Sequence, residues 1–186
     1  MDVGASPGGW TVCLASLGCE RVTAVDPGLL SLPQELSASG RVEHMQMKIE
    51  EAIPLLRARE EPEVVYHLLV CDMNAPPSNV ITMARHALPL LADGAPLVLT
   101  FKNPFKHRID WHQALEAGLA ELHTFADDVT ELHLLANTTR ETTICGRVRP
   151  KARRAADGQA AAADAERARA AECALAWERS AMIGGR

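Results

Sequence analysis

The run Asp2-Val3-Gly4-Ala5-Ser6-Pro7-Gly8-Gly9-Trp10 constrains this chain more than any other feature. Two residues typical of a strand end lead into a turn built on Gly4, Gly8 and Gly9, and an apolar helical pattern follows over 10–17, stopped by Gly18. Glycine admits positive φ and lets backbone amides approach a ligand closely. The helix N-terminus behind such a turn favours anionic groups. A second strand pattern, over 21–25, ends in Asp26, seventeen residues after Gly9. A carboxylate there can accept hydrogen bonds from both hydroxyls of a ribose. Strand, glycine turn, helix, strand and acid, in that order, make a nucleotide-type pocket at the carboxyl ends of adjacent parallel strands.

The remaining pattern agrees with an α/β chain. A short helix is expected over 32–39, a third strand over 41–47, and an amphipathic helix over 48–60 with a kink at Pro54. A strongly apolar strand over 64–71 runs into Asp72, and a helix over 78–91 follows with Ser78 as its N-cap. A buried strand over 96–101 runs into Lys102, a helix spans 111–122, and two strands close the pattern near 129–135 and 142–148. Strands alternating with helices predict a mostly parallel sheet covered on both faces. The closing pair has no long helix between its strands, which predicts an antiparallel hairpin at one edge. Residues 1–150 make one domain. Residues 151–186, rich in alanine with Arg and Glu three or four apart, make a helical or disordered tail.

Composition removes several function classes. Of the 186 residues, 47% are apolar and 23% charged, which excludes a wholly disordered or collagen-like chain. No apolar run approaches the ~18 residues of a membrane span. The net charge of −5 and pI near 5.8 exclude binding to nucleic acid through the overall field. Any such contact needs a local basic patch, for which Lys102, Lys106, His107, Arg108, Arg140, Arg147 and Arg149 are the candidates, with a further cluster at Lys151, Arg153 and Arg154. Aromatic residues are 4% of the chain, too few for a surface that stacks several bases. The five cysteines are scattered without a C-x-x-C, and no H-x-x-x-H occurs, so neither a disulfide frame nor a metal site is expected. The scattered cysteines fit a reducing setting, cytoplasmic first, with an organelle or the nucleus as the alternatives. The sequence says nothing of oligomeric state.

Two ligand classes compete for the glycine turn. The dinucleotide pattern G-x-G-x-x-G would need glycine where Ser6 stands, and Pro7 leaves less room for a pyrophosphate. S-adenosyl-L-methionine has no phosphate but carries a ribose, an adenine and a methionine tail. Asp2 suits its ammonium group and Asp26 its ribose. Trp10 either packs near the cofactor or starts the helix. The methyl donor fits better, with a dinucleotide as the alternative.

Asp2 to Trp10 resembles the D-L-G-A-x-P-G-G-W signature of the FtsJ-like (RrmJ-like) ribose 2′-O-methyltransferases. The likeness continues in order. V-V-Y-H-L-L-V-C-D-M over 64–73 resembles their fourth strand, L-V-L-T-F-K over 97–102 the fifth with its lysine, and T-T-R-E-T-T-I-C-G over 138–146 the late R-E strand. The C-D-M and R-E-x-T details are similar to the bacterial branch that methylates a cytidine ribose in large-subunit ribosomal RNA. The resemblance covers residues 1–149.

It implies a Rossmann-like S-adenosylmethionine-dependent methyltransferase fold, ribosomal RNA as partner, and a Lys-Asp-Lys-Glu tetrad of which Asp72, Lys102 and Glu141 are three members. Asp2, Gly4, Ser6, Pro7, Gly8, Gly9, Trp10, Asp26, Gln46, Met47 and Asp72 would hold the cofactor. A ribose hydroxyl is a poor nucleophile at neutral pH. Lys102 could take its proton if its own pKa were lowered, or could stabilise the developing alkoxide. Family members carry a lead-in helix, the first tetrad lysine and most of the first strand ahead of the signature, whereas the earliest lysine here is Lys48. A truncated first strand and weak activity of this polypeptide alone are therefore expected. Two other readings remain open: a methyltransferase for another acceptor, and a non-catalytic remnant that binds cofactor or RNA. The run Asp72-Met73-Asn74-Ala75-Pro76-Pro77-Ser78 lacks the aromatic residue of an adenine amino-methylating site.

Overall fold

The computed structural model describes residues 1–59, 65–135 and 137–151. Seven strands form one sheet in the order β3-β2-β1-β4-β5-β7-β6. The strands are β1 (Asp2–Val3), β2 (Val22–Val25), β3 (Val42–Met45), β4 (Leu69–Cys71), β5 (Pro96–Lys102), β6 (Ala126–Leu132) and β7 (Glu141–Val148). The first five run parallel, while β7 is antiparallel to both β5 and β6. The five helices are α1 (Gly9–Ser16), α2 (Gln34–Ala38), α3 (Ile49–Arg57), α4 (Pro77–Ala87) and α5 (Arg108–Leu122), with a 3₁₀ turn at Leu88–Leu90. The doubly wound sheet and its edge hairpin are as the sequence pattern predicts.

Strand alternation divides the core between the two sheet faces. Leu69, Cys71, Leu97, Leu99 and Phe101 join one cluster with Ile53 and Leu56 of α3, Ile81 and Ala84 of α4, and Leu115 and Leu122 of α5. Their neighbours Val22 and Val70 pack on the opposite side with Leu14 of α1, and Trp10, Val42 and Val98 close over them. Phe101 is fully buried. A side chain of that size in such a core is worth ~3–5 kcal/mol against alanine.

Three local expectations are corrected. The strand expected over 64–71 is paired only over Leu69–Cys71, residue 64 lying outside the described residues. Tyr66 forms an isolated bridge to Leu91, and its hydroxyl donates to Thr23 Oγ1 at 3.0 Å. Ser78 is not an N-cap: α4 begins at Pro77, where the missing N–H is no loss, and the Ser78 hydroxyl donates to Asn79 Oδ1. The sixth strand starts three residues early, at Ala126, and a register shift between Asp127 and Thr130 holds Asp128 at φ 54°. Pro54 lies inside α3 as expected, while residue 60 lies outside the described residues. Residues Met1–Arg149 form one compact unit. The tail expected over 151–186, with Arg153 and Arg154, lies outside the described residues beyond Lys151. Among the described residues no helix is long and apolar enough to cross a membrane.

Candidate active site

Parallel strands place their carboxyl ends together, and the loops that leave them build the site. The glycine turn leaves β1 between α1 and the β2 loop. Gly4 and Gly8 adopt φ of 75° and 123°, and the Ser6–Pro7 peptide is cis. A Cβ on Gly4 would lie 2.7 Å from the Met73 nitrogen, so glycine is what lets this turn touch the loop that carries Asp72.

Asp26 ties the turn to the β2 loop. Its Oδ2 accepts from the Ser6 amide at 3.2 Å and its Oδ1 from the Gly28 amide at 2.6 Å. The Ser6 hydroxyl donates to Leu29 O, and the Ser31 amide to Pro7 O. Asp26 stays half-buried, and each carboxylate oxygen has a second lone pair for a ribose hydroxyl. Asp2 is fully buried, and Thr11 donates to its Oδ2 at 2.5 Å. Its Oδ1 has no hydrogen-bond partner among the described residues. Burial raises the Asp2 pKa, and the Thr11 hydrogen bond only partly offsets that. A buried carboxylate oxygen lacking a donor is the feature a cationic amine would complete, so the pocket fits the expected methyl donor. Thr11 was not foreseen; its only signal is a hydroxyl on the first helical turn behind a buried acid.

Other expected cofactor residues are placed less directly. Gln46 is exposed, and its amide donates to Pro27 O at 3.3 Å. Met47 packs at the edge of the main core, and Trp10, half-buried, packs on the α1 face of the sheet with Leu14, Val22 and Val70. Gly9 has open space around its Cα.

The acid–amine cluster forms at the ends of β4, β5 and β7. Lys102 pairs with Glu141 in the antiparallel register. Asp72 follows β4, its amide held by Val3 O at 3.0 Å, and the Lys102 amide donates to Ala75 O. Lys102 Nζ lies 2.7 Å from Asp72 Oδ1 and 2.7 Å from Glu141 Oε1. Glu141 Oε2 accepts from the Thr138 amide at 2.9 Å, so both its oxygens are engaged. Asp72 has only Oδ1 engaged among the described residues.

The electrostatics separate the two roles open to Lys102. Burial alone would lower its pKa, but hydrogen bonds to Asp72 and Glu141 outweigh burial and hold it above the ordinary value. The same hydrogen bond, helped by the Thr138 amide, holds the Glu141 carboxyl below its ordinary value. Lys102 is therefore an ammonium. Among the described residues, no group of three or more His, Cys, Asp or Glu could hold a metal ion.

The expected basic patch divides. Lys106, His107, Arg108 and Arg140 line one cleft beside Lys102. Arg147 and Arg149 do not belong to it. Arg147 pairs with Pro96, at the opposite end of β5 from Lys102, ~20 Å away at ~3.4 Å per residue. Arg149 is ion-paired to Asp127.

A family model described as FtsJ-like methyltransferase matches residues 1–155. Ribosomal RNA large subunit methyltransferase M of Alkalilimnicola ehrlichii is 39% identical over 88 residues, 47% of this chain and 21% of that protein. The chain thus spans about one fifth of the length of the curated relatives it matches. Among solved structures, the fibrillarin pre-rRNA processing protein of Methanococcus jannaschii superposes with a TM-score of 0.61 at 14% identity, over 81% of this chain and 66% of that one. Human methyltransferase-like protein 13, in complex with SAH, gives a TM-score of 0.57 at 14% identity, over 81% and 71%. Both likenesses concern the fold.

Proposed function

We propose, from the premise that this chain belongs to the FtsJ-like methyltransferase family, that it methylates a ribose 2′-hydroxyl of RNA, with ribosomal RNA as the substrate. The observation that carries the reading is the Lys102 ammonium held 2.7 Å from both Asp72 and Glu141, beside the loop packed on the glycine turn. S-adenosylmethionine, which Asp2, the Gly4–Gly9 turn and Asp26 would hold, would supply an electrophilic sulfonium methyl and leave as the neutral thioether S-adenosylhomocysteine.

The chain's own residues then have distinct work. Lys102 donates a hydrogen bond to the 2′-oxygen and stabilises the negative charge that grows there as the O–H bond weakens. Glu141, with both oxygens engaged, fixes the ammonium in place. Asp72 keeps an oxygen free of protein donors among the described residues and accepts the hydroxyl proton. In this reading Lys102, held between two carboxylates, is the electrostatic group and Asp72 the base.

The test is transfer of labelled methyl to ribosomal RNA followed by nuclease digestion. Label on a ribose supports the proposal, and label on a base overturns it. Asp72→Asn should lower the rate by ~10²–10⁴-fold, the span of a positioned acid–base group. An Asp72→Asn protein as fast as the parent would remove the proton acceptor from the scheme.

A further inference from the structure

One cleft beside the cluster gathers cations and two aromatic rings. It measures about 650 Å³, within the ~300–1,000 Å³ range of small-ligand sites. Asn103, Phe105, Lys106, His107, Arg108 and Arg140 make much of its wall, and Trp111, His112 and Thr139 complete it. In a chain of net charge −5, this wall holds three fixed cations and no carboxylate. Elsewhere Arg59, Arg85, Lys102 and Arg149 are paired with carboxylates, while Arg41 and Arg147 donate to backbone carbonyls. Lys106, Arg108 and Arg140 have no carboxylate partner among the described residues.

The cleft is also built, not merely charged. Asn103 Oδ1 accepts from the Phe105 amide at 2.9 Å, and the Asn103 amide donates to Arg140 O at 2.8 Å. The Arg140 guanidinium donates to Phe105 O at 3.0 Å. Arg108 Nε faces His112 Nε2 at 3.2 Å on the first turns of α5. These bonds hold Phe105 and Arg140 together on one wall. Phe105 and Trp111 are two of only seven aromatic residues in the chain. One or two rings cannot stack a run of bases, but they suffice for one.

Position gives the cleft its meaning. Lys102 and Glu141 are register partners, and the cleft wall begins with the next residue on each side, Asn103 and Arg140. A polynucleotide whose ribose reached Lys102 would have to lay an adjoining nucleotide here.

We propose that this cleft is a subsite for the nucleotide adjoining the methylated one: Lys106, Arg108 and Arg140 hold its phosphate, and Phe105 stacks its base. The proposal deepens the RNA reading above and rests on it for the identity of the polymer. Phosphate contacts set register without sequence information, and an aromatic face accepts any base. The subsite therefore positions a single strand and selects no sequence.

The experiment measures binding of a fluorescein-labelled single-stranded hexaribonucleotide to the full 186-residue chain by anisotropy, across a series of salt concentrations and without methyl donor. Arg140→Ala should weaken binding and make the slope of log K against log salt shallower by ~0.7, the value for one phosphate contact on a single strand. Phe105→Leu should weaken binding ~5–100-fold with the slope unchanged, as expected for a lost stack. Unchanged affinity in both variants, or no measurable binding by the parent, overturns the subsite. So does a Phe105→Leu protein that changes the slope. Parent protein that binds with this signature but transfers no methyl to ribose would overturn the functional reading and leave the subsite standing.

Discussion

Replacing Lys102 by methionine removes the cation and keeps most of the volume. Asp72 Oδ1 and Glu141 Oε1, both 2.7 Å from the same nitrogen, are then left at most twice that distance apart with nothing between them. At an effective dielectric near 20, two like charges at ~5 Å repel by ~3 kcal/mol. The side chains of Lys102 and Glu141 are 19% exposed and that of Asp72 is 34% exposed, so solvent screens part of this. A cost of ~1–2 kcal/mol at pH 7 follows, or ~2–8 °C in Tm for a chain of this size. The pH dependence fixes the sign. In the parent, the Glu141 carboxyl lies below its ordinary value of 4.5, so its pairing stabilises above that pH and is lost as pH falls through the lowered value. The Lys102 contribution is complete below 10.5 and lost as pH rises through its raised value. In Lys102→Met the carboxylates repel at pH 7 and are relieved on protonation. The gap in Tm between parent and variant should therefore shrink between pH 7 and pH 4. Thermal melts at the two pH values measure it. A variant as stable as the parent at pH 7, or a gap that widens in acid, would refute the reasoning.

Gly4→Ala should destabilise more than Gly40→Ala. Both positions have positive φ, which costs an L-residue ~1–2 kcal/mol, but only at Gly4 would the Cβ meet backbone, 2.7 Å from Met73 N. Urea denaturation of the two variants makes the comparison, and equal midpoints would show that the turn does not press on the Asp72 loop. Asp26→Ala should weaken binding of S-adenosylhomocysteine ~10–100-fold by calorimetry. The variant loses the two amide anchors to Ser6 and Gly28 together with the carboxylate proposed to accept from the ribose. An unchanged Kd would remove Asp26 from the cofactor site.

The sheet was legible because each strand end carries its own punctuation. Gly4, Asp26, Asp72 and Lys102 all stand where an apolar run stops, and all four lie at carboxyl ends in one sheet. How far a strand is paired was not legible, because pairing depends on neighbours. On its β4 side β1 pairs only Asp2 with Val70 and Val3 with Cys71, and β5 meets β4 only over Leu97–Leu99, so the apolar residues before Leu69 have no continuous ladder to join. The start of α4 carried a competing signal, a proline at the first helical position, which outweighs a serine one residue later. The basic patch misled for a geometric reason. Arg140 and Arg147 are seven residues apart, which reads as local in sequence but spans most of a strand in space. The state of Lys102 was likewise hidden, since its pKa depends on which effect wins at 2.7 Å from two acids and not on the strand that delivers it.

The hairpin at the sheet edge is what makes the site possible. Parallel strands alone would bring Asp72 and Lys102 to one end, but both would then face the opening with one acid for one amine. Running β7 antiparallel beside β5 brings the start of a strand to that same end, and with it Glu141 opposite Lys102. The second acid turns a labile pair into a clamp, because Glu141 is itself fixed by the Thr138 amide while Asp72 is not so held. The same reversal carries Arg140 into the cleft next door. The cleft wall thus begins one residue beyond the Lys102–Glu141 rung on each strand. On the proposed path, a single strand would meet an ammonium at its ribose and, at its next phosphate, cations with no carboxylate partner among the described residues, carried by runs around Lys102 and Glu141, 39 residues apart.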